Sequence, residues 1–233
     1  MNLFLSVIFG SVLISQAVSA QPKLVIAANR FDFGLVAQES TVSQYFWFKS
    51  TGSAPVKITR VDTGCDCTTM PLEQTIIAPG DSMKVGVHWD TGRRIGSAGK
   101  FPRIYVEGQH DPERVFLSAD IAARLDSTRP VSLGPFKAEL ARMGSKSVDS
   151  VRIAVTNHSN RAISFARISE PVAEFMVVAP DSLQPNETSI VTISIVPEFR
   201  DKEFAESVTF AFDGGVQNIA GKVTIPVRRK IIS

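Results

Sequence analysis

Residues 45–69 read YFWFKSTGSAPVKITRVDTGCDCTT. Phe46 and Phe48 alternate with Tyr45, Trp47 and Lys49, which is the period of a half-buried β-strand with one apolar face. The Gly52-containing stretch 50–53 punctuates the chain as a turn. A second alternating run follows, with Val56, Ile58 and Val61, and ends at Gly64-Cys65-Asp66-Cys67-Thr68. The pattern is strand, turn, strand, then a loop that carries both cysteines of the chain.

Working outward, residues 31–36 (FDFGLV) read as a first strand, and 38–41 as the turn that leads on from it. Residues 78–82 (APGDS) form another turn, with Pro79 fixing φ and Gly80 free to take a positive one. Beyond it Val85, Val87 and Trp89 alternate with Lys84, Gly86 and His88, so that the apolar set faces inward and His88 outward. Ile104 and Val106 make the next inward pair, and 108–113 turns the chain back into Val115, Leu117, Ala119 and Ile121. Short strands at regular spacing predict an all-β sandwich. No segment before Ala138 keeps a helical period.

The second half repeats the first. Ile153, Val155, Ile163, Phe165 and Ile168 stand where Phe46, Phe48, Val56, Ile58 and Val61 stood, at an offset of 107 residues (48 to 155). Val191, Ile193 and Ile195 replace Val85, Val87 and Trp89, and Phe210 and Phe212 replace Ile104 and Val106, at an offset of 106. Val131-Ser132-Leu133-Gly134 is set against Phe31-Asp32-Phe33-Gly34, which leaves 137–147 as an insertion expected to form a short helical turn. The expectation is two tandem immunoglobulin-like β-sandwich domains, 21–126 and 127–233, joined near 125–128. The second copy has a Pro-containing segment at 170–173 and no cysteine, so the thiols are not needed to build the fold.

A chain of 233 residues suits two domains of ordinary size. A hydrophobic fraction of 44% and a charged fraction of 21% are those of a folded globular chain. A net charge of +2, with its longest basic cluster at Arg228, Arg229 and Lys230, does not suit a nucleic-acid partner. Residues 1–20 hold an apolar block (3–14) followed by small residues up to Ala20, the layout of a signal peptide cleaved before Gln21. The block is shorter than a membrane-spanning helix requires. A secreted or periplasmic location follows as the expectation.

The order F-x-F-G, F-x-F, S-T-G-S-A-P-V, C-x-C-T, A-P-G and aromatic-Asp resembles a bacterial exported family of immunoglobulin-like domains of unknown function. The matching positions are Phe33, Gly34, Phe46, Phe48, Gly52, Pro55, Cys65, Cys67, Thr68, Pro79, Gly80, Trp89 and Asp90. Asp66 stands where that family usually has Gly, and Trp89 where it usually has Phe. The resemblance covers about residues 30–122. More distantly, both copies are similar to the sandwiches of the Hydin and major sperm protein group. What the resemblance implies is a sandwich fold, export, and binding or assembly in place of catalysis.

Several readings of Cys65 and Cys67 are open at this stage. A bond between residues two apart requires a bend at Asp66 and closes almost no loop, so it would be a local clip or a labile redox pair. A metal site would recruit Met70 and His88 beside the sulfurs, a soft set suited to Cu(I). Pairing with another chain is the fourth reading. His110 and His158 fall in turns, where exposed histidines are common. Nucleophile elbows, phosphate loops and zinc-helix motifs are missing, and Asp62, Asp66, Asp81, Asp90 and Asp120 lie scattered at turns and strand ends. No cofactor, resident metal or small-molecule substrate is expected, and no enzymatic activity. Tyr45 and Trp47 sit on the outward face of their strand. They are the expected contact residues for an envelope or secreted protein partner, or are covered by the other domain. The competing expectation is thiol-redox or copper handling at Cys65 and Cys67.

Overall fold

The computed structural model describes residues 20–213 and 221–232; the expected signal peptide falls almost wholly outside them. The first half begins with β1 (Leu24–Ile26), β2 (Arg30–Ala37), β3 (Thr41–Ser50) and β4 (Val56–Asp62). It continues with β5 (Thr68–Thr69), β6 (Ile76–Ile77), β7 (Ser82–Asp90), β8 (Gly96–Lys100), β9 (Arg103–Val106), β10 (Glu113–Arg114) and β11 (Phe116–Ala122). The second half opens with β12 (Val131–Gly134), β13 (Ala138–Met143), β14 (Lys146–Val148), β15 (Ser150–Asn157) and β16 (Ile163–Arg167). It closes with β17 (Phe175–Val178), β18 (Ser182–Leu183), β19 (Thr188–Ile195), β20 (Phe204–Phe212) and β21 (Gly221–Ile232), with a 3-10 turn at Pro197–Phe199.

The fold is all-β, two tandem sandwiches. One layer of the first has the order β1-β3-β7-β5, and its counterpart in the second has β12-β15-β19-β17. The inward residues are those the alternation predicts. Phe46, Phe48, Val85, Val87 and Trp89 lie in the first core, and Ile153, Val155, Phe165, Ile193 and Phe210 in the second. Phe33 meets Trp89 edge-on at 6.3 Å, and Phe165 stacks on Phe210 at 4.4 Å. Each such side chain, removed fully from water, stabilises its half by roughly 1.5–3 kcal/mol.

The repeat is more regular than the sequence suggested. A strand, β1, precedes residues 31–36, and it pairs with β3 as β12 pairs with β15. Val131–Gly134 is therefore the counterpart of Leu24–Ile26, at the same 107-residue offset (24 to 131), and not of Phe31-Asp32-Phe33-Gly34. Residues 137–147 are then no insertion and form no helical turn. Ala138–Met143 is the counterpart of β2, with Ala138 and Leu140 fully buried and Glu139 exposed between them. That period of two, followed by a turn at Gly144 (φ 57°) into β14, makes a hairpin. β13 runs parallel to β21 as β2 runs parallel to β11.

The halves share a sheet. β21 pairs along its later part with β13 and, at Val223, with Leu35 of β2, so the order β18-β16-β20-β21-β2-β11-β8 runs through both sandwiches. Thr224 Oγ1 donates to the Phe33 carbonyl at 2.6 Å, and Lys222 Nζ reaches Asp32 Oδ2 at 3.0 Å. Gly34 makes this approach possible. Its φ is +62°, and a Cβ placed there would lie 2.3 Å from the Lys222 carbonyl oxygen. Gly34→Ala is expected to destabilise the chain by about 2–4 kcal/mol, from left-handed backbone strain together with overpacking against rigid main chain. The check is the midpoint and slope of urea unfolding; an unchanged midpoint contradicts the close approach.

Candidate functional site

Two places gather chemically capable side chains. The first is the cysteine loop between β4 and β5. The N–H of Gly64, at φ +76°, donates to Asp62 Oδ1 at 3.0 Å, and the Thr68 N–H closes a turn onto the Cys65 carbonyl at 3.3 Å. This turn brings the Cα atoms of Cys65 and Cys67 to 5.3 Å, and the two sulfurs are bonded to each other. Asp66, at the tip, is exposed and does not take a positive φ, so the position does not require glycine. The Asp90 N–H donates to the Cys67 carbonyl at 2.8 Å, which fastens the loop to β7.

Lys100, at the end of β8, aims its ammonium at the bond. Nζ lies 2.8 Å from Cys67 Sγ and 3.1 Å from Cys65 Sγ, and 5.7 Å from the centre of the Trp89 ring. Burial of the ammonium, and then the charge of Arg94, hold the Lys100 pKa below the usual lysine range. Sequence reading missed Lys100. Gly96-Ser97-Ala98-Gly99 has too few side chains to show a strand period, so nothing placed the lysine beside the sulfurs. The soft-metal arrangement does not assemble. Met70 is buried in the first core, and His88, although its strand pairs with β5, turns its ring to the other face.

The second place is the junction of the halves. Ser43, Tyr45 and His88 project from the outward face of β3 and β7 onto β20. Ser43 and Ser207 exchange backbone-to-hydroxyl hydrogen bonds in both directions, at 2.8 and 2.9 Å. Glu206, 5% exposed, accepts at one oxygen from the Tyr45 hydroxyl at 3.0 Å and faces His88 Nε2 at 2.8 Å. Lys84 donates to the Pro171 carbonyl at 3.0 Å, with Glu170 beside it. Of the two expected contact residues, Tyr45 thus serves the chain's own second half, whereas Trp47 is 47% exposed. His110 is exposed, and His158 meets Ser132 Oγ at 2.7 Å.

Paired antiparallel layers with this repeated strand order define immunoglobulin-like sandwiches, the first with a stapled loop at one end. Residues 24–121, the span of the first sandwich, match the family described as "Protein of unknown function (DUF1573)". No curated protein matches the chain. Among solved structures, a protein of unknown function from Porphyromonas gingivalis W83 is 9% identical, with 88% of this chain and 99% of that one covered and a TM-score of 0.36. The Pseudomonas aeruginosa CupB2 chaperone is 11% identical over 86% of this chain and 99% of that one, with a TM-score of 0.33. A PapD-like domain of human CEP192 is 13% identical over 52% and 98%, with a TM-score of 0.36.

Burial, and then the negative charge of Glu206, push the Tyr45 pKa well above its ordinary value of 10.0. The folded state therefore holds this proton more tightly than the unfolded state. The contribution is complete below about pH 10 and is lost as pH rises through the folded value. Stability is expected to fall above about pH 10, and Tyr45→Phe to remove the latest phase of the phenolate absorbance titration. Loss of a phase near pH 10 in that variant, with the latest phase retained, would place Tyr45 in water.

Proposed function

We propose that the chain is an exported, non-catalytic binding module of the bacterial cell envelope, and that it takes an extended segment of a protein partner along an open sheet edge. The observation that carries this reading is β17. Among the described residues it pairs with β19 on one side only, and Met176 and Val178 are 58% and 69% exposed. An edge strand with unmatched backbone groups and outward apolar side chains is a template for strand addition. Trp47 is linked to that strand through Lys84. It lies opposite Lys84 in the β3–β7 register, and Lys84 holds the Glu170-Pro171 segment that leads into β17. The fused halves keep Trp47 and that edge at a fixed separation, which lowers the ordering cost of binding.

Photo-crosslinkers placed at Trp47 and at Met176 are expected to capture one polypeptide of the same mass from both positions. Combining Met176→Glu with Val178→Glu should abolish the adduct at position 47 while circular dichroism stays unchanged. An adduct that survives the two charges, or none at either position, removes this reading. Export has its own check. Mass spectrometry of the protein recovered from the envelope should give a chain starting at Gln21, and a chain that keeps residues 1–20 in the cytoplasmic fraction would contradict it.

A further inference from the structure

Lys100 has no anionic partner. Among the described residues it makes no ion pair, and its ammonium is directed at two sulfurs that carry no charge while they are bonded to each other. A half-buried cation at such a site gains a counter-ion there when the bond opens and a sulfur becomes a thiolate. We propose that Cys65 and Cys67 are an exchangeable disulfide, reduced by a dithiol, with the Lys100 ammonium stabilising the thiolate that leaves.

Access and leaving group are both defined. Beside Cys65 an open groove is lined by Gly64, Gly99, Phe101, Arg103 and Phe116, and Phe101 is 58% exposed. A thiolate of the dithiol attacks Cys65 Sγ from this side and forms a mixed disulfide. The Cys65–Cys67 bond breaks, and its electron pair leaves with Cys67 Sγ, the sulfur nearer to Lys100 Nζ. The second thiol of the reductant, having lost its proton to solvent, then attacks its partner sulfur and releases Cys65 as a thiolate. Two electrons pass to the cysteines, and the dithiol becomes a disulfide. Thr68 Oγ1, 3.5 Å from Cys65 Sγ, is placed to donate to that second thiolate.

Such a ring has little to keep it closed. Joining residues two apart removes little freedom from the unfolded chain, so opening it leaves the global fold almost unchanged. Rates of exchange rise as the leaving thiol's pKa falls, and a nearby ammonium lowers that pKa. The charged groups around the sulfurs are mostly basic. Arg94 and Arg93 come from the β7–β8 loop, and Arg103 of β9 is paired with Asp62. The acids are Asp66 at the exposed tip and Asp90 at the end of β7.

The test uses the mature chain equilibrated with dithiothreitol, the cysteines being trapped by alkylation and counted by mass. Lys100→Met is expected to slow reduction about tenfold and to lower its equilibrium constant by a similar factor near pH 9, where the thiolate is formed, and Lys100→Arg to restore both. If the Met variant fails to fold, the pH dependence of alkylation of the reduced wild-type chain decides. A midpoint at least about one unit below the free-cysteine value of about 8.5 supports the assignment. A midpoint at or above that value, or reduction indifferent to Lys100, overturns it. The readout is thiol chemistry alone, so failure here leaves the edge-binding proposal standing.

Discussion

The main-chain approach of β2 to β21 is the constraint from which the architecture follows. Without it β2 would present an open edge beside β11, and the start of β21 would present another. Both would carry unmatched N–H and C=O groups of the kind that invites foreign strands. Instead β21 serves two neighbours in succession, β2 near Val223 and β13 from Val227 onward. The hand-over needs backbone within reach of backbone at Gly34, where any side chain would collide with Lys222. A single missing Cβ thus joins two cores into one sheet.

The polar contacts across the junction add direction to that attachment. A greasy interface tolerates sliding; reciprocal bonds between Ser43 and Ser207 do not, since a shift of one residue leaves buried donors and acceptors unmatched at about 1–3 kcal/mol each. Glu206 works in the same way through Oε1, which Tyr45 and His88 both meet, while its Oε2 is buried without a hydrogen-bond partner. The outward face of β3 and β7 is consequently divided. Its Ser43–Tyr45 end is used to fix the second half, and its Trp47 end stays open to solvent.

The residues that alternate in size were legible in the sequence, since burying every second side chain leaves a period that needs no structure to detect. Phe46, Phe48, Val85, Val87, Trp89 and their counterparts in the second half lie where that period puts them. The misreadings came where the signal thins. Ala138 and Leu140 replace two phenylalanines, and in Ala-Glu-Leu-Ala-Arg-Met good helix formers outweighed a strand period that tertiary pairing with β21 imposes. Val131–Gly134 ended in glycine as Phe31-Asp32-Phe33-Gly34 does, and that shared letter displaced the true match to β1. The site was legible in part. The bend at Asp66 follows from the spacing, but Lys100 comes from a strand of glycine, serine and alanine whose position depends on pairing with β11.

The two copies use the same loop differently, and the difference bears on the disulfide. At the 107-residue offset the loop 64–67 corresponds to 171–174 (64 to 171), where Pro171 accepts from Lys84 and the segment is held by docking on the first half. Among the described residues the first copy's loop has no such contact with the other half, and it is closed on itself by the sulfur bond. As a staple that bond is weak. Chain entropy assigns about 1.6 kcal/mol to so small a ring, against about 4.7 for a loop of 100 residues. A hydrogen-bonded turn already fastened to β7 through Asp90 gains little more order from it. Local stabilisation therefore accounts for the loop's shape but not for the ammonium aimed at its sulfurs. A lysine serving only structure commonly lies on a carboxylate, whereas the half-buried Lys100 ammonium lies on the two sulfurs and near the Trp89 ring.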